Sequence, residues 1–215
     1  MIPFRTAEEI AAALPTVVTH LARRGIIAYP TETVYGLGST TSAAAVERLA
    51  ALKGRDPGKP FLLLVASRRM LQGVGLRLTD PAERFAAAFW PGPLTLALPG
   101  GEDVLPDALR GPEGGIAVRW TSHPGALLLI QTLGSPITST SANRPRQPPL
   151  LDGAAIASGF AEAVAERTLL VLDAGPRQPS LPSTVVDCTG PAPRLVREGA
   201  IPAARLRSIV PALIG

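Results

Sequence analysis

Apolar and polar positions alternate between two periods along this chain, and the changes of period mark out helices and strands in turn. Ile10, Leu14, Val17 and Leu21 recur at helical spacing. They follow Thr6-Ala7-Glu8-Glu9, which fits a capping box with Thr6 as N-cap and Glu9 three residues on. Pro15 falls inside this pattern and predicts a kink or restart, and Gly25 predicts the helix end. Ile26-Ile27-Ala28 then reads as a short buried strand, and Ser39-Thr40-Thr41-Ser42 as the approach to a helix over 43–53 capped by Ser42. The inward stripe of that helix is Val46, Leu49 and Ala50, and then, unexpectedly, Lys53. A lysine there must reach past the helix end to a partner or complement the last carbonyls. Gly54 stops the helix, residues 55–60 predict a loop, and 61–66 predict a strand buried on both faces.

Further on, Asp80-Pro81 opens a helix through Phe89, with proline at the favoured first position. Strands are predicted at 94–98, 115–119 and 136–140, and again at 168–172, 184–188 and 194–196. Between them lie an exposed loop over 100–115, a helix from His123-Pro124 to about 133, a loop over 141–150 and a weak helix over 153–167. A short helix near 202–208 closes the pattern. Alternation without repeat or linker predicts one α/β domain over 1–215 with a mixed sheet.

Composition, charge and the rarer residues then narrow this picture. A length of 215 residues, 46% hydrophobic and 18% charged, suits one globular domain with a proper core. The single cysteine, Cys188, excludes an internal disulfide. No apolar run approaches bilayer length and no signal-peptide pattern opens the chain, so a cytoplasmic protein without membrane contact is expected. All but two of the 21 basic residues are arginine, scattered without a run, at a net charge of +4. That balance suits a phosphate-bearing small molecule as well as RNA. The only lysines are Lys53 and Lys59, and the only asparagine is Asn143. Amid so much arginine, these mark positions where a compact ammonium or an amide is needed.

Familiar chemistries fall away. Two distant histidines and one cysteine make no zinc site, and neither a Walker pattern nor a full dinucleotide glycine fingerprint is present. His123 reads as a helix cap and Cys188 as a core residue. What remains is a set of cations and hydroxyls after strands: Thr31, Thr33, Lys53, Arg55, Lys59, Arg119, Ser139, Thr140, Ser141, Asn143, Ser183, Thr184 and Arg197. The stretch from Tyr29 to Gly38 is placed where open α/β sheets bind ligands, outside the carboxyl ends of strands. Such an inventory binds polyanions and catalyses by positioning and by offsetting charge at phosphorus.

Eight ordered segments carry a resemblance. They are Tyr-Pro-Thr-Glu-Thr-Val-Tyr-Gly-Leu-Gly at 29–38, Lys-Gly-Arg at 53–55, Lys-Pro-Phe at 59–61 and Trp-Pro-Gly-Pro-Leu-Thr at 90–95. Ala-Val-Arg follows at 117–119, Ser-Thr-Ser-Ala-Asn at 139–143, Pro-Ser-Thr-Val-Val-Asp at 182–187 and Arg-Glu-Gly-Ala-Ile at 197–201. Over about 7–201 the chain resembles the YrdC/TsaC family of threonylcarbamoyl-adenylate synthases. The resemblance implies a twisted open α/β sheet with flanking helices around a basic cleft. It also implies a reaction joining L-threonine, bicarbonate or CO2 and ATP into L-threonylcarbamoyl-adenylate and pyrophosphate. The product would serve N6-threonylcarbamoyladenosine (t6A) modification of tRNA through downstream threonylcarbamoyl-transfer proteins, with weak direct tRNA binding also open.

Carried over by position, Lys53 and Arg55 act on the phosphates, and Arg55, Lys59, Ser141, Asn143 and Arg197 bind ATP. Thr31, Arg119, Ser139 and Ser183 hold L-threonine, with Arg119 pairing its carboxylate. Mg2+ is expected to enter on the ATP phosphates and not on protein ligands. Some relatives carry a histidine after the Lys-x-Arg loop, where this chain has the apolar residues 62–65. The end at Gly215 implies the short, single-domain form, with a more open cleft. Two other readings stay open: a domain forming carbamoyl-adenylate from carbamoyl phosphate, and a non-catalytic RNA-binding module.

Overall fold

The computed structural model describes residues 1–55 and 59–215, so part of the loop expected over 55–60 lies outside the described residues. In chain order the strands are β1 (Ile2–Pro3), β2 (Ile26–Tyr29), β3 (Gly36–Gly38), β4 (Leu62–Val65), β5 (Leu94–Leu98), β6 (Ile116–Trp120), β7 (Ile137–Ser141), β8 (Leu169–Asp173), β9 (Thr184–Asp187) and β10 (Arg194–Arg197). The helices are α1 (Ala7–Ala22), α2 (Ala43–Lys53), α3 (Arg68–Gly73), α4 (Asp80–Phe89), α5 (Pro124–Leu133), α6 (Gly153–Gly159), α7 (Ala161–Ala165) and α8 (Ala203–Ile209). All ten strands join one mixed sheet in the order β1-β8-β2-β3-β7-β4-β6-β5-β9-β10. The expected α/β class and mixed, helix-flanked sheet are therefore present.

Two apolar clusters sandwich the sheet unequally. One face is covered along most of its length, with Leu49 of α2, Phe85 of α4 and Leu206 of α8 packing on Leu63, Leu96, Val118 and Val186. On the other face α1 and α5 cover only one half, where Val17, Leu21, Leu129 and Ile130 meet Ile27, Tyr29, Leu64 and Ile137. Along β5 and β6 the residues turned from the larger core are Thr95, Ala97, Ala117 and Arg119, small or polar. Among the described residues no helix covers this half, and a sheet face left open beside a helix-covered half is a ready-made cleft.

Local chemistry explains where expectation and structure part. The capping box forms, with Thr6 Oγ1 accepting from the Glu9 amide at 3.2 Å. α1 then runs unbroken through Pro15. Pro15 and Ala11, whose carbonyl the proline leaves without its helix bond, are both exposed, so the lost bond falls on the solvent side of the helix and not in the core. The helix ends at Ala22, before Gly25, because Arg24 takes the left-handed turn at φ 62°. Gly25 is required for a different reason: a Cβ there would lie 2.3 Å from the His20 ring.

The stretch from Tyr29 to Gly38 is a hairpin and not a strand-to-helix turn, with Tyr29 opposite Gly36 and Ile27 opposite Gly38. Gly38 lets β7 approach, since a Cβ would sit 2.3 Å from the Thr138 carbonyl oxygen. The 100–115 segment is not simply exposed. It contains a 3-10 turn (Asp107–Leu109), buries Leu105 and Leu109, and is held by Arg110 donating to Gly100 O at 3.0 Å and Gly114 O at 3.1 Å. The weak helix over 153–167 divides into α6 and α7, and β1 and α3 are elements too short to read from periodicity.

Candidate active site

The open half of the sheet face holds a cleft of about 610 Å3. Its floor is set by strand register. Gly36 lies opposite Ser141, Leu62 opposite Ser139, Thr95 opposite Val185, and Val185 opposite Arg197. All of these line the cleft, and Ala117 and Arg119 of β6 fill the row between β4 and β5. The site thus lies on the sheet face, not beyond the strand ends as the doubly-wound rule suggested.

One wall is the hairpin loop. Thr31 Oγ1 donates to Val34 O at 2.6 Å and accepts from the Thr33 amide at 3.2 Å, folding the turn around its own hydroxyl. The two tyrosines of the chain pin this segment and take no part in the cleft. Tyr29 is fully buried, and its hydroxyl, pushed well above the ordinary phenol range by desolvation, donates to Thr138 O at 3.3 Å. Tyr35 donates to Gly175 O at 2.9 Å and accepts from the Ala174 amide. The segment after β8 is thereby drawn across the loop, where Arg177 donates to Thr31 O at 2.8 Å and Ser180 donates to Thr33 O.

Arg119 rises from the floor. Its side chain is 4% exposed, with Nε 3.2 Å from Glu32 Oε1 and Nη1 donating to Thr33 Oγ1 at 3.3 Å. Glu32 is itself 13% exposed and accepts from Thr121 Oγ1 at 2.6 Å. No hydrogen bond satisfies either Arg119 Nε or Glu32 Oε1 among the described residues, so the pair is held close with donor and acceptor capacity to spare. Ser183 lies across the floor, its hydroxyl 2.8 Å from Thr95 Oγ1. Arg197 donates to Ser183 O at 2.8 Å, and partial desolvation, with the Arg119 charge second, lowers its pKa. Two guanidiniums therefore share this end of the cleft.

Arg55 marks the other end. It donates to Thr140 Oγ1 at 3.1 Å and to the carbonyls of Lys59 and Pro60, and it stacks 4.4 Å from the Phe61 ring centroid. Lys53 is 6% exposed and does not line the cleft. Its ammonium donates to Ser141 O at 2.7 Å, to Asn143 O and to Asn143 Oδ1. Asn143 also accepts from Ser141 Oγ at 2.7 Å and donates to Gln147 O. Lysine and asparagine thus knit the 141–147 loop from behind. Lys53 acts on the cleft through Ser141.

Burial, and secondarily the Arg55 charge, pushes Lys53 down to about 8. In the unfolded chain this lysine keeps its proton until about pH 10.4. Between those values the unfolded state holds more protons, so raising the pH favours the folded state through this group. We expect stability to rise from about pH 8 to pH 10 in the native chain relative to Lys53→Met, checked by urea unfolding of both across that window. Parallel curves would show that Lys53 titrates normally.

Of the residues expected at the site, Thr31, Arg55, Arg119, Ser139, Ser141, Ser183 and Arg197 line the cleft together. Lys59 is exposed beside the lining residue Pro60, and Asn143 stands behind Ser141. Thr184 turns away, donating to Ile201 O at 2.7 Å and accepting from the amides of Gly199 and Ile201. A family model described as Sua5_yciO_yrdC, telomere recombination, matches residues 19–199. The chain belongs to the Sua5/YciO/YrdC family.

Among its relatives, threonylcarbamoyl-AMP synthase of Pyrococcus abyssi is 35% identical over 186 residues, covering 86% of this chain and 53% of that protein. The chain therefore spans about half the length of that relative. Threonylcarbamoyl-AMP synthase of Chromohalobacter salexigens is 37% identical over 183 residues, covering 85% of this chain and 94% of that protein. The crystal structure of P. abyssi Sua5 complexed with L-threonine matches with a TM-score of 0.86 at 32% identity, over 100% of this chain and 62% of that one.

In this Sua5/YciO/YrdC chain two polar cleft residues, Thr95 and Ser180, and the carboxylate partner of a third, Glu32, were not among those expected at the site. Thr95 was legible in the alternation Leu94-Thr95-Leu96-Ala97-Leu98, which turns it from the core. Glu32 lies within the 29–38 segment, but its pairing with Arg119 spans 87 positions that only the fold closes. Ser180 lies in a proline-rich segment without periodicity.

Proposed function

We propose that this chain makes L-threonylcarbamoyl-adenylate and pyrophosphate from L-threonine, bicarbonate or CO2, and ATP. The observation that carries the reading is the cleft with a buried, carboxylate-ready arginine at one end and a clamped arginine at the other. The names of the relatives point the same way. Arg119 pairs the threonine carboxylate with both prongs of its fork, and the hydroxyls of Thr31, Ser139 and Ser183 surround the rest of that substrate. Arg55 and Lys59 meet the triphosphate, while Ser141 and Arg197 hold the nucleotide.

The threonine amine adds to CO2 and loses a proton to give a carbamate. A carbamate oxygen then attacks the α-phosphorus, and pyrophosphate leaves, which makes the reaction a nucleotidyl transfer. No protein nucleophile is needed; catalysis comes from alignment and from cations offsetting charge on the phosphates. Among the described residues no group of three or more His, Cys, Asp or Glu is arranged to hold a metal. The donor set at the ATP end is hydroxyls, which suits Mg2+ arriving on the triphosphate and neutralising charge there. Transfer of the product to tRNA for t6A modification, by partner proteins in the cytoplasm, completes the reading. Among the described residues no helix is long and apolar enough to cross a membrane.

Pyrophosphate release from ATP is the test. It should require L-threonine, bicarbonate and Mg2+ together. Release with carbamoyl phosphate in place of threonine and bicarbonate would assign the carbamoyl-adenylate chemistry. No release from folded protein that binds RNA would assign a binding module.

A further inference from the structure

A second cavity, of about 520 Å3, opens at the opposite end of β2 and shares no lining residue with the cleft. Three arginines reach it from three elements: Arg23 after α1, Arg48 on α2, and Arg167 in the turn between α7 and β8. Among the described residues none of the three has a carboxylate within 4.0 Å, whereas Arg5, Arg68, Arg110, Arg119 and Arg194 each have one. Glu47 and Glu166 neighbour Arg48 and Arg167 in sequence, but neither lines the cavity. Arg48 Nη2 donates to Thr168 Oγ1 at 3.3 Å, which draws its guanidinium onto the cavity wall. Arg167, like Arg24 and Arg146, takes the left-handed conformation, at φ 57°, which turns the chain from α7 into β8 beside the cavity. Complementing the α1 dipole would account for Arg23 alone.

The surface between these cations is different in kind. The His20 ring lies over Gly25, with Nε2 2.9 Å from Ile26 O, and Pro15, Thr16, Thr19 and Thr168 complete the lining. A hydrogen-bonded aromatic ring and hydroxyls inside a rim of guanidiniums without carboxylate partners have the chemistry to take a ring and a phosphate side by side. We propose that this cavity binds a nucleoside phosphate, either as the free nucleotide or as one unit of single-stranded RNA. The proposal does not depend on the reaction assigned to the cleft.

Amide 1H–15N mapping tests it, because the two sites report separately. Titration with uridine 5′-monophosphate or octauridylate should shift the Gly25, Arg48 and Thr168 amides. Octauridylate binding at least about tenfold tighter would identify RNA as the source, and equal affinity the free nucleotide. With three cations engaged, log affinity for the oligonucleotide should fall against log salt with a slope of about −2. The triple variant Arg23→Gln, Arg48→Gln, Arg167→Gln should lose at least about tenfold in affinity while keeping its melting temperature. Arg48→Gln alone, with the same map, serves if the triple variant does not fold. Silence of these amides, equal affinity in the variants, or inorganic phosphate matching the nucleotide would overturn the proposal.

Discussion

Replacing Arg119 by methionine will lower threonine-dependent pyrophosphate release at least about 100-fold and destabilise the fold by about 3–5 kcal/mol. The two effects have different origins. The destabilisation comes from Glu32, left as a 13% exposed carboxylate without its cation and retaining only Thr121 as a donor. The catalytic loss comes from the missing fork for the substrate carboxylate. A second substitution separates them. Glu32→Gln added to Arg119→Met removes the orphaned charge and keeps an oxygen to accept from Thr121, so stability should return to within about 1–2 kcal/mol of the native chain. Activity should stay low. Urea unfolding and pyrophosphate release on the three proteins check this, and recovery of activity along with stability would show that Arg119 serves the fold alone.

Arg55→Ala should lower turnover about 10²–10³-fold, as removing a preorganised donor from a developing charge does, and destabilise the fold by about 1–3 kcal/mol through the lost hydrogen bonds and ring contact. The guanidinium is held by Thr140, two carbonyls and the Phe61 ring, so its orientation is fixed before substrate arrives. Arg55→Lys should fail to rescue, because an ammonium can neither stack on Phe61 nor reach the carbonyls of both Lys59 and Pro60 from one plane. Steady-state kinetics with ATP varied reads the effect. A kcat/KM for ATP within twofold of native in Arg55→Ala would place the phosphate end of the cleft elsewhere.

How much of this was legible before the fold was known depended on the range of the interaction. The Thr6 cap, the Gly54 stop and the strand at 94–98 rest on neighbours within a few positions and form where their chemistry predicts, while the helix at Pro81 starts one residue early, with Thr79 as N-cap and Pro81 second in the helix. Lys53 was legible as a lysine bound to reach a partner, because an inward stripe cannot end on an unpaired charge. That its partners are Ser141 and Asn143, some 88–90 positions away, was not. The hairpin at 29–38 was missed for a related reason. Its glycines are explained by Thr138 and Ser139 packed against them, and neither is a sequence neighbour. The resemblance brought together the residues that line the cleft but could not say which touch it and which brace it from behind.

Because the cleft floor is a row of residues on adjacent strands, its tolerance of insertions and deletions is sharply divided. A single residue added within β5 or β6 would invert the alternation, turning Thr95 or Arg119 toward the core and leucine or valine toward the substrate. The same residue added to a connecting loop would leave the spacing of the row untouched, since neighbouring strands hold it at about 4.8 Å regardless of what joins them. Variation in such a scaffold is therefore channelled into its rims. Loop length can change which molecules are admitted while the distances among the groups that meet them stay constant.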